Sequence, residues 1–223
     1  MTQETHSDLI ARAEEMVKAH MAKYDPSHDW PHVDRVRKMA LSIAKQMDPT
    51  PDLLIVELAA LFHDVADKKY TKPTDPTLSQ TLTPLLSPHL PQPKIDLILS
   101  IIPSVSYTSE LALTRATPSQ WTWQQTCLEL HAVQDADRLD AIGAVGVMRC
   151  AAYSANVGRR LLVDDGDEER GERGGSAEGH FGEKLLRVRD RMKSGPGREE
   201  AERRHRTMLD FLAALEGERE RML

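Results

Sequence analysis

Residues 53–64 read LLIVELAALFHD. From Leu53 to Phe62 the only charge is Glu57, so the segment is apolar almost all round rather than along one stripe. A helix with so little polar surface is expected at the buried centre of a bundle. Its predicted span is Asp52 to about Val65, opened after the punctuation of Pro49 and Pro51. The run is far too short to cross a bilayer. His63 and Asp64 close it, and polar side chains at the end of a buried helix need partners.

The flanking sequence keeps a helical period. Leu9, Ile10, Ala13, Met16, Val17 and Met21 recur at three- and four-residue steps and predict a helix over roughly 7–24, ended by Pro26 and Ser27. A second helix is predicted from near Pro31, a residue suited to a first helical turn, and carries Val33, Val36, Met39, Ala40, Ile43 and Ala44. Six prolines between 71 and 93 predict loops with one short helix among them. IDLILSIIPSVSY (95–107) reads as a helix ending before Pro103, and 119–156 as one long helix or two abutting ones. In the latter, Ala136, Ala141, Gly143, Ala144 and Gly146 are small enough to let another helix approach closely. Two more helices are predicted over 177–193 and 198–221, broken by Ser194-Gly195-Pro196-Gly197. The expectation is an all-α fold: a single-domain helical bundle over 1–223, with no internal repeat.

Composition agrees with a globular chain. It has 223 residues and 25.0 kDa, is 40% hydrophobic and carries a formal charge of −6, which excludes a disordered tail, a collagen-like repeat and a polybasic nucleic-acid clamp. Residues 164–179, DDGDEERGERGGSAEG, hold seven acids against two arginines and therefore −5 of that total. With five glycines and no apolar period, the segment is expected to be a flexible acidic surface loop. The acidity thus belongs to one loop and does not argue against an anionic substrate. No basic segment followed by an apolar one opens the chain, and Cys127 and Cys150 stand apart. Reduced thiols packed in the core of a soluble, cytoplasmic protein are the expectation.

Four clusters can carry chemistry: His28-Asp29-Trp30-Pro31-His32, His63-Asp64 with Asp67-Lys68-Lys69, Asp135-Ala136-Asp137-Arg138-Leu139-Asp140, and His180-Phe181 with Lys184. His28 and His32 lie one helical turn apart. Neighbours such as His63 and Asp64 differ by about 100° on a helix, but at a helix end both can turn toward one ion. Two imidazoles and two carboxylates suit a borderline divalent metal such as Mn²⁺, Fe²⁺, Ni²⁺ or Zn²⁺. Each cluster also has an ordinary reading as a cap, a surface pair or a solvated helix face.

His32, then His63-Asp64, then Asp137 ahead of Arg138-Leu139 resembles the H…HD…D pattern of the HD-domain metal-dependent phosphohydrolases. HDWPHVDRV (28–36), HDVADKKY (63–70), VQDADRLDAIGAVGVMR (133–149), HFGEKLL (180–186) and AERRHRTMLDFL (201–212) follow in the order of its YpgQ-like small nucleotide (pyro)phosphohydrolase branch. The resemblance covers about 28–212. It implies an HD-type helical bundle with one divalent metal between central helices, held by His32, His63, Asp64 and Asp137. Mn²⁺ leads, with Mg²⁺, Ni²⁺, Fe²⁺, Zn²⁺ and Co²⁺ as alternatives. Asp135, about 200° from Asp137 around a helix, is left as a structural hydrogen-bonder.

The resemblance further implies that Asp67 orients or deprotonates a water, with a surface acid as its ordinary reading. Arg35 and Lys69 are candidates to neutralise phosphate oxygens, and His28 to bond the phosphate or a metal-bound water. Lys184 is a further substrate-binding candidate that also suits the polar face of an amphipathic helix. Arg204 is expected to be structural, and Arg138 and Asp140 to pair. The expected reaction is (d)NTP to (d)NMP and pyrophosphate. A nucleoside monophosphate phosphatase is the alternative, and a non-catalytic metal-binding partner module the second. The expected partner is a small nucleotide, with neither nucleic acid nor membrane, and the oligomeric state is not readable. Ser106 to Leu130 and 164–179 match nothing in the family pattern and are the places where substrate choice could be set.

Overall fold

A computed structural model of the chain describes residues 3–65, 76–116, 123–164 and 175–221. They form α1 (Gln3–Met21), α2 (Trp30–Gln46), α3 (Leu53–Phe62), α4 (Leu78–Leu86), α5 (Gln92–Val105), α6 (Tyr107–Ala116) and α7 (Leu128–Asp140). These are followed by α8 (Gly143–Asn156), α9 (Ala177–Glu183), a 3-10 segment (Leu185–Arg191) and α10 (Gly195–Glu220). No β-strand occurs among the described residues; Arg160 and Ser176 make one isolated bridge. The chain is all-α, as its periodicity predicts. Its residues group into two compact units, Met1–Tyr24 with His28–Asp137, and Asp25–Ser27 with Arg138–Leu223.

In the first unit α3 is central and packs against α1, α2 and α5. Seven of its ten residues, Ile55, Val56, Leu58, Ala59, Ala60, Leu61 and Phe62, are buried, so each large side chain contributes roughly 1.5–3 kcal/mol of burial. Asp52 caps its start by accepting from the N–H groups of Leu54 and Ile55 at 3.0 and 3.3 Å. The helix stops at Phe62, three residues short of the expected end, and 63–65 form a turn. α2 buries His32, Val33, Val36, Ala40, Ile43 and Ala44 along one stripe. Asp29 caps it, accepting from His32 N–H at 3.0 Å, with Pro31 in the first turn. The salt bridges of Arg37 to Glu57 (2.6 Å) and Glu14 (2.5 Å) tie α2 to α3 and α1.

In the second unit α8 and the 3-10 segment pack on α10. Two arginines satisfy carbonyl groups left over where helical segments end: Arg204 donates to Leu139 O and Arg138 to Arg191 O, both at 2.7 Å. Gly143 opens α8 at φ +75°, where a Cβ would stand 2.9 Å from Cβ and Cγ of Arg204. That approach and that dihedral both require glycine.

Several expectations are corrected. α1 starts at Gln3 and ends at Met21, before Pro26. α5 runs past Pro103 to Val105; the proline forfeits one main-chain bond only in the last turn, where Ser104 Oγ donates to Ser100 O at 3.0 Å. The break before the last helix stands at 192–194, and Gly195-Pro196-Gly197 already belongs to α10, which starts three residues early because Ser194 Oγ accepts from Gly197 N–H at 3.0 Å and Pro196 suits the first turn; the expected 177–193 helix is α9 followed by the 3-10 segment. Of the expected 164–179 loop, Ser176 is a buried cap on Gly179 N–H and 177–179 are helical, so the loop ends earlier; 165–174 lie outside the described residues. Asp140 also meets Arg149 at 3.1 Å, a partner the sequence reading did not name, and Arg138 donates to the Arg191 carbonyl. Cys127 and Cys150 are half-buried free thiols rather than core residues.

Candidate metal centre

Three elements of the first unit bring the imidazoles and carboxylates together. The capped first turn of α2 turns His32 inward until it is fully buried. The turn that ends α3 carries His63 and Asp64, whose relaxed geometry lets adjacent residues face one point. On α7 every residue from 132 to 140 is buried except Asp137, which is partly open. Asp135, on the other side of that helix, is fully buried.

The distances are short. His32 Nε2 and His63 Nε2 stand 3.3 Å apart. Asp64 Oδ2 is 3.3 Å from each of them, and Asp137 Oδ1 is 3.8 Å from each. His63 Nδ1 donates to the Ala60 carbonyl at 2.8 Å. A carbonyl only accepts, so the neutral imidazole keeps its proton on Nδ1 and points the Nε2 lone pair into the cluster. Asp64 Oδ2 is buried and makes no well-aligned hydrogen bond, although it lies within ion-pair range of both rings.

Electrostatics favour a cation here. Burial opposes a charge on His63, but the Asp64 carboxylate, with Asp137 and the Ala60 carbonyl, outweighs it and raises the pKa to about 9. Burial also opposes ionisation of Asp64, yet His63 and His32 hold its carboxyl well below the ordinary value. A carboxylate held ionised against burial, with imidazole nitrogens converging on it, attracts either a proton or a metal ion.

The donor set fits a metal. Nitrogen and oxygen ligands sit about 2.0–2.2 Å from Zn²⁺-sized cations, so neighbouring ligands on one ion stand roughly 3.0–3.4 Å apart and opposite ones roughly 4.2 Å. The ligand atoms of His32, His63 and Asp64 lie within 4.8 Å of one another, and each pair quoted above falls inside those limits. Two imidazoles and a carboxylate form a borderline donor set.

Of the other expected site residues, His28 is half-buried with its ring centroid 6.1 Å from that of His32, edge to face. Arg35 is half-buried on α2, one turn beyond His32. Asp67 and Lys69 lie outside the described residues. Lys184 belongs to the second unit, half-buried at the end of α9, its N–H donating to His180 O at 3.0 Å. The reading from sequence missed the Glu14–Arg37–Glu57 clasp, which joins α2 and α3, the elements that carry His32 and lead to His63, to α1. No periodic signal marks it.

No family model matches the chain. It is 38% identical over 189 residues to the uncharacterized protein YpgQ of Bacillus subtilis, covering 85% of this chain and 83% of that one. The crystal structure of B. subtilis YpgQ in complex with ADP is similar with a TM-score of 0.72 and 32% identity, over 94% of this chain and 97% of that chain. An HD-superfamily hydrolase from Bacillus thuringiensis gives 0.73 and 32%, over 96% and 98%. With the all-helical fold and the converging His32, His63 and Asp64, this similarity over most of both lengths means that the chain belongs to the YpgQ-like HD-domain proteins.

Proposed function

We propose that the chain is a metal-dependent phosphohydrolase of nucleotides that cleaves a (d)NTP to the (d)NMP and pyrophosphate. The observation that carries the reading is the convergence of His32 Nε2, His63 Nε2 and Asp64 Oδ2, with Asp137 Oδ1 beside them. The likeness to an HD-superfamily hydrolase supports hydrolysis, and the ADP complex of YpgQ supports a nucleotide ligand.

His32, His63, Asp64 and Asp137 would hold one divalent cation, Mn²⁺ in this reading. A cation so bound supplies Lewis acidity toward a phosphoryl oxygen and lowers the pKa of a water. The Ala60 carbonyl fixes the His63 ring so that its Nε2 lone pair stays available. Asp67 orients the attacking water and takes its proton. His28, Arg35, Lys69 and Lys184 bind phosphate oxygens, with Arg35 suited to two parallel bonds. The chain acts as one HD domain in the cytoplasm, without nucleic acid or membrane.

The test is incubation of the purified chain with Mn²⁺ and a panel of (d)NTPs, diphosphates and monophosphates, scoring pyrophosphate against orthophosphate. Pyrophosphate and monophosphate in equal amounts are expected, abolished by chelation and by His63→Ala. Orthophosphate from monophosphates alone would replace this reaction with the phosphatase, and no hydrolysis at all would remove both. Metal analysis of His63→Ala/Asp64→Ala supplies a second readout: a double variant that keeps stoichiometric metal refutes the ligand assignment.

A further inference from the structure

The two carboxylates of the metal centre are placed by different means. Asp64 follows His63 along the turn that ends α3, and its Oδ2 stands 3.3 Å from both imidazole Nε2 atoms. Asp137 arrives on a separate helix, with Oδ1 3.8 Å from each and its side chain 26% exposed. Where Asp137 stands therefore depends on where α7 is set against α2 and α3. Apolar burial is non-directional, so the position of α7 along its own axis falls to its directional contacts.

Two side chains of α7 reach other helices of the first unit. Gln134, which is buried, donates from Nε2 to Ser104 O in the last turn of α5 at 2.8 Å. Glu129 Oε1 accepts from Asp52 N–H at 3.0 Å. Asp52 is the cap of α3, and its carboxylate is engaged as well: Oδ1 accepts from Leu54 and Ile55 N–H, and Oδ2 from Lys94 Nζ on α5 at 2.6 Å. On the other side of Glu129, Cys127 Sγ donates to Oε2 at 3.6 Å. Burial first, and the Glu129 charge after it, push the Cys127 thiol up to about 11, so it keeps the proton it donates.

Glu129 thus joins the start of α7 to the start of α3, and both helices run from that junction to the metal centre. Along α3 lie His63 and Asp64; along α7, Asp137 lies about two turns, or roughly 12 Å, further on. A helix holds its rise per residue through its own backbone bonds, so a displacement at one end is carried to the other. We propose that Glu129 is a positioning residue for the metal centre: its bond to Asp52 N–H sets α7 against α3 so that Asp137 stands beside His32 and His63. The inference rests on the ligand assignment of the proposed hydrolase and adds to it a side chain that touches neither metal nor substrate.

The experiment is calorimetric titration of the full chain with Mn²⁺ alone, on wild type, Glu129→Met, Glu129→Gln and Asp137→Ala, with urea unfolding of each as the check on folding. Methionine keeps the length of the side chain without the acceptor, and glutamine keeps the acceptor without the charge. Residues that orient a metal ligand typically change affinity about 10–100-fold, so Glu129→Met is expected to weaken Mn²⁺ binding about tenfold, and Glu129→Gln to restore it. In an Asp137→Ala background, Glu129→Met should cost nothing further, because the ligand it places is gone. Should Glu129→Met not fold, Glu129→Asp, one methylene shorter, takes its place in the same comparison. A Glu129→Met protein that binds Mn²⁺ like wild type, a Glu129→Gln protein as weak as Glu129→Met, or an equal loss with and without Asp137 overturns the proposal. A wild type that takes up no Mn²⁺, or an Asp137→Ala protein that binds it like wild type, is a different result: it refutes the ligand assignment and, with it, the role given to Glu129.

Discussion

Arg37→Ala should destabilise the first unit through the clasp that joins α2 and α3 to α1. Arg37 on α2 donates from Nε to Glu57 Oε1 at 2.8 Å and from Nη1 to Glu14 Oε1 at 2.5 Å. The three side chains are 18%, 19% and 25% exposed, so neither pair is a freely solvated surface bridge. A hydrogen bond to a charged group contributes about 1.5–3 kcal/mol. The contacts share one guanidinium and are partly wet, which takes the expected cost to about 2–3 kcal/mol rather than their sum. For a chain of this size each kcal/mol moves Tm by about 2–4 °C, so a fall of roughly 5–10 °C is expected. Urea denaturation of Arg37→Ala, Glu57→Ala and the double variant checks it, with a coupling of about 1 kcal/mol between the sites. Burial opposes ionisation of Glu14, and Lys18 and Arg37 outweigh it and lower its pKa. A lowered carboxyl stabilises above its unfolded pKa near 4.5 and loses that stabilisation as pH falls, so the Arg37→Ala penalty should shrink in acid. Because Glu57 lies six residues before His63 on the same segment, Mn²⁺ affinity should fall too. A variant within 0.5 kcal/mol of wild type at neutral pH, or one with no coupling to Glu57, would refute the reasoning.

Two further outcomes are expected. Gly143→Ala should cost about 2–3 kcal/mol, from a left-handed dihedral costing about 1–2 kcal/mol and a displaced Arg204 that loses its bond to Leu139 O, about 1 kcal/mol more; an unchanged urea midpoint would contradict it. In chelator, the His63 pKa of about 9 lies above its ordinary 6.5, so its stabilisation is full below 6.5 and lost as pH rises through 9. Thermal unfolding of the metal-free chain should therefore weaken from pH 7 to 10, and His63→Ala should flatten that slope; parallel profiles for the two proteins would contradict it.

What could be read from the chain and what could not divide along one physical line. The burial of α3 was legible because its residues are apolar in every direction, and that needs no knowledge of what surrounds them. Helix geometry says that only one of Asp135 and Asp137, about 200° apart, can face one point; the resemblance named Asp137, and the structure leaves Asp137 partly open while burying Asp135 completely. The helix through Pro103 and the start at Ser194 were misread because a local breaker was weighed without its position in a turn: a proline costs little in the last turn, and a serine before Gly-Pro-Gly is a cap. Arg37 could not be singled out. An arginine looks the same in sequence whether it bridges Glu14 and Glu57 or stands in solvent, since that depends on residues twenty or more positions away. The metal centre was reached by another route. His32, His63-Asp64 and Asp137 come from three distant segments, so their spacing alone did not mark them as one set; the resemblance to the HD pattern singled them out, and the structure brings His32, His63 and Asp64 together with Asp137 beside them. Residues that choose a partner in space need coordinates or a family pattern, whereas an all-round apolar segment declares its burial by itself.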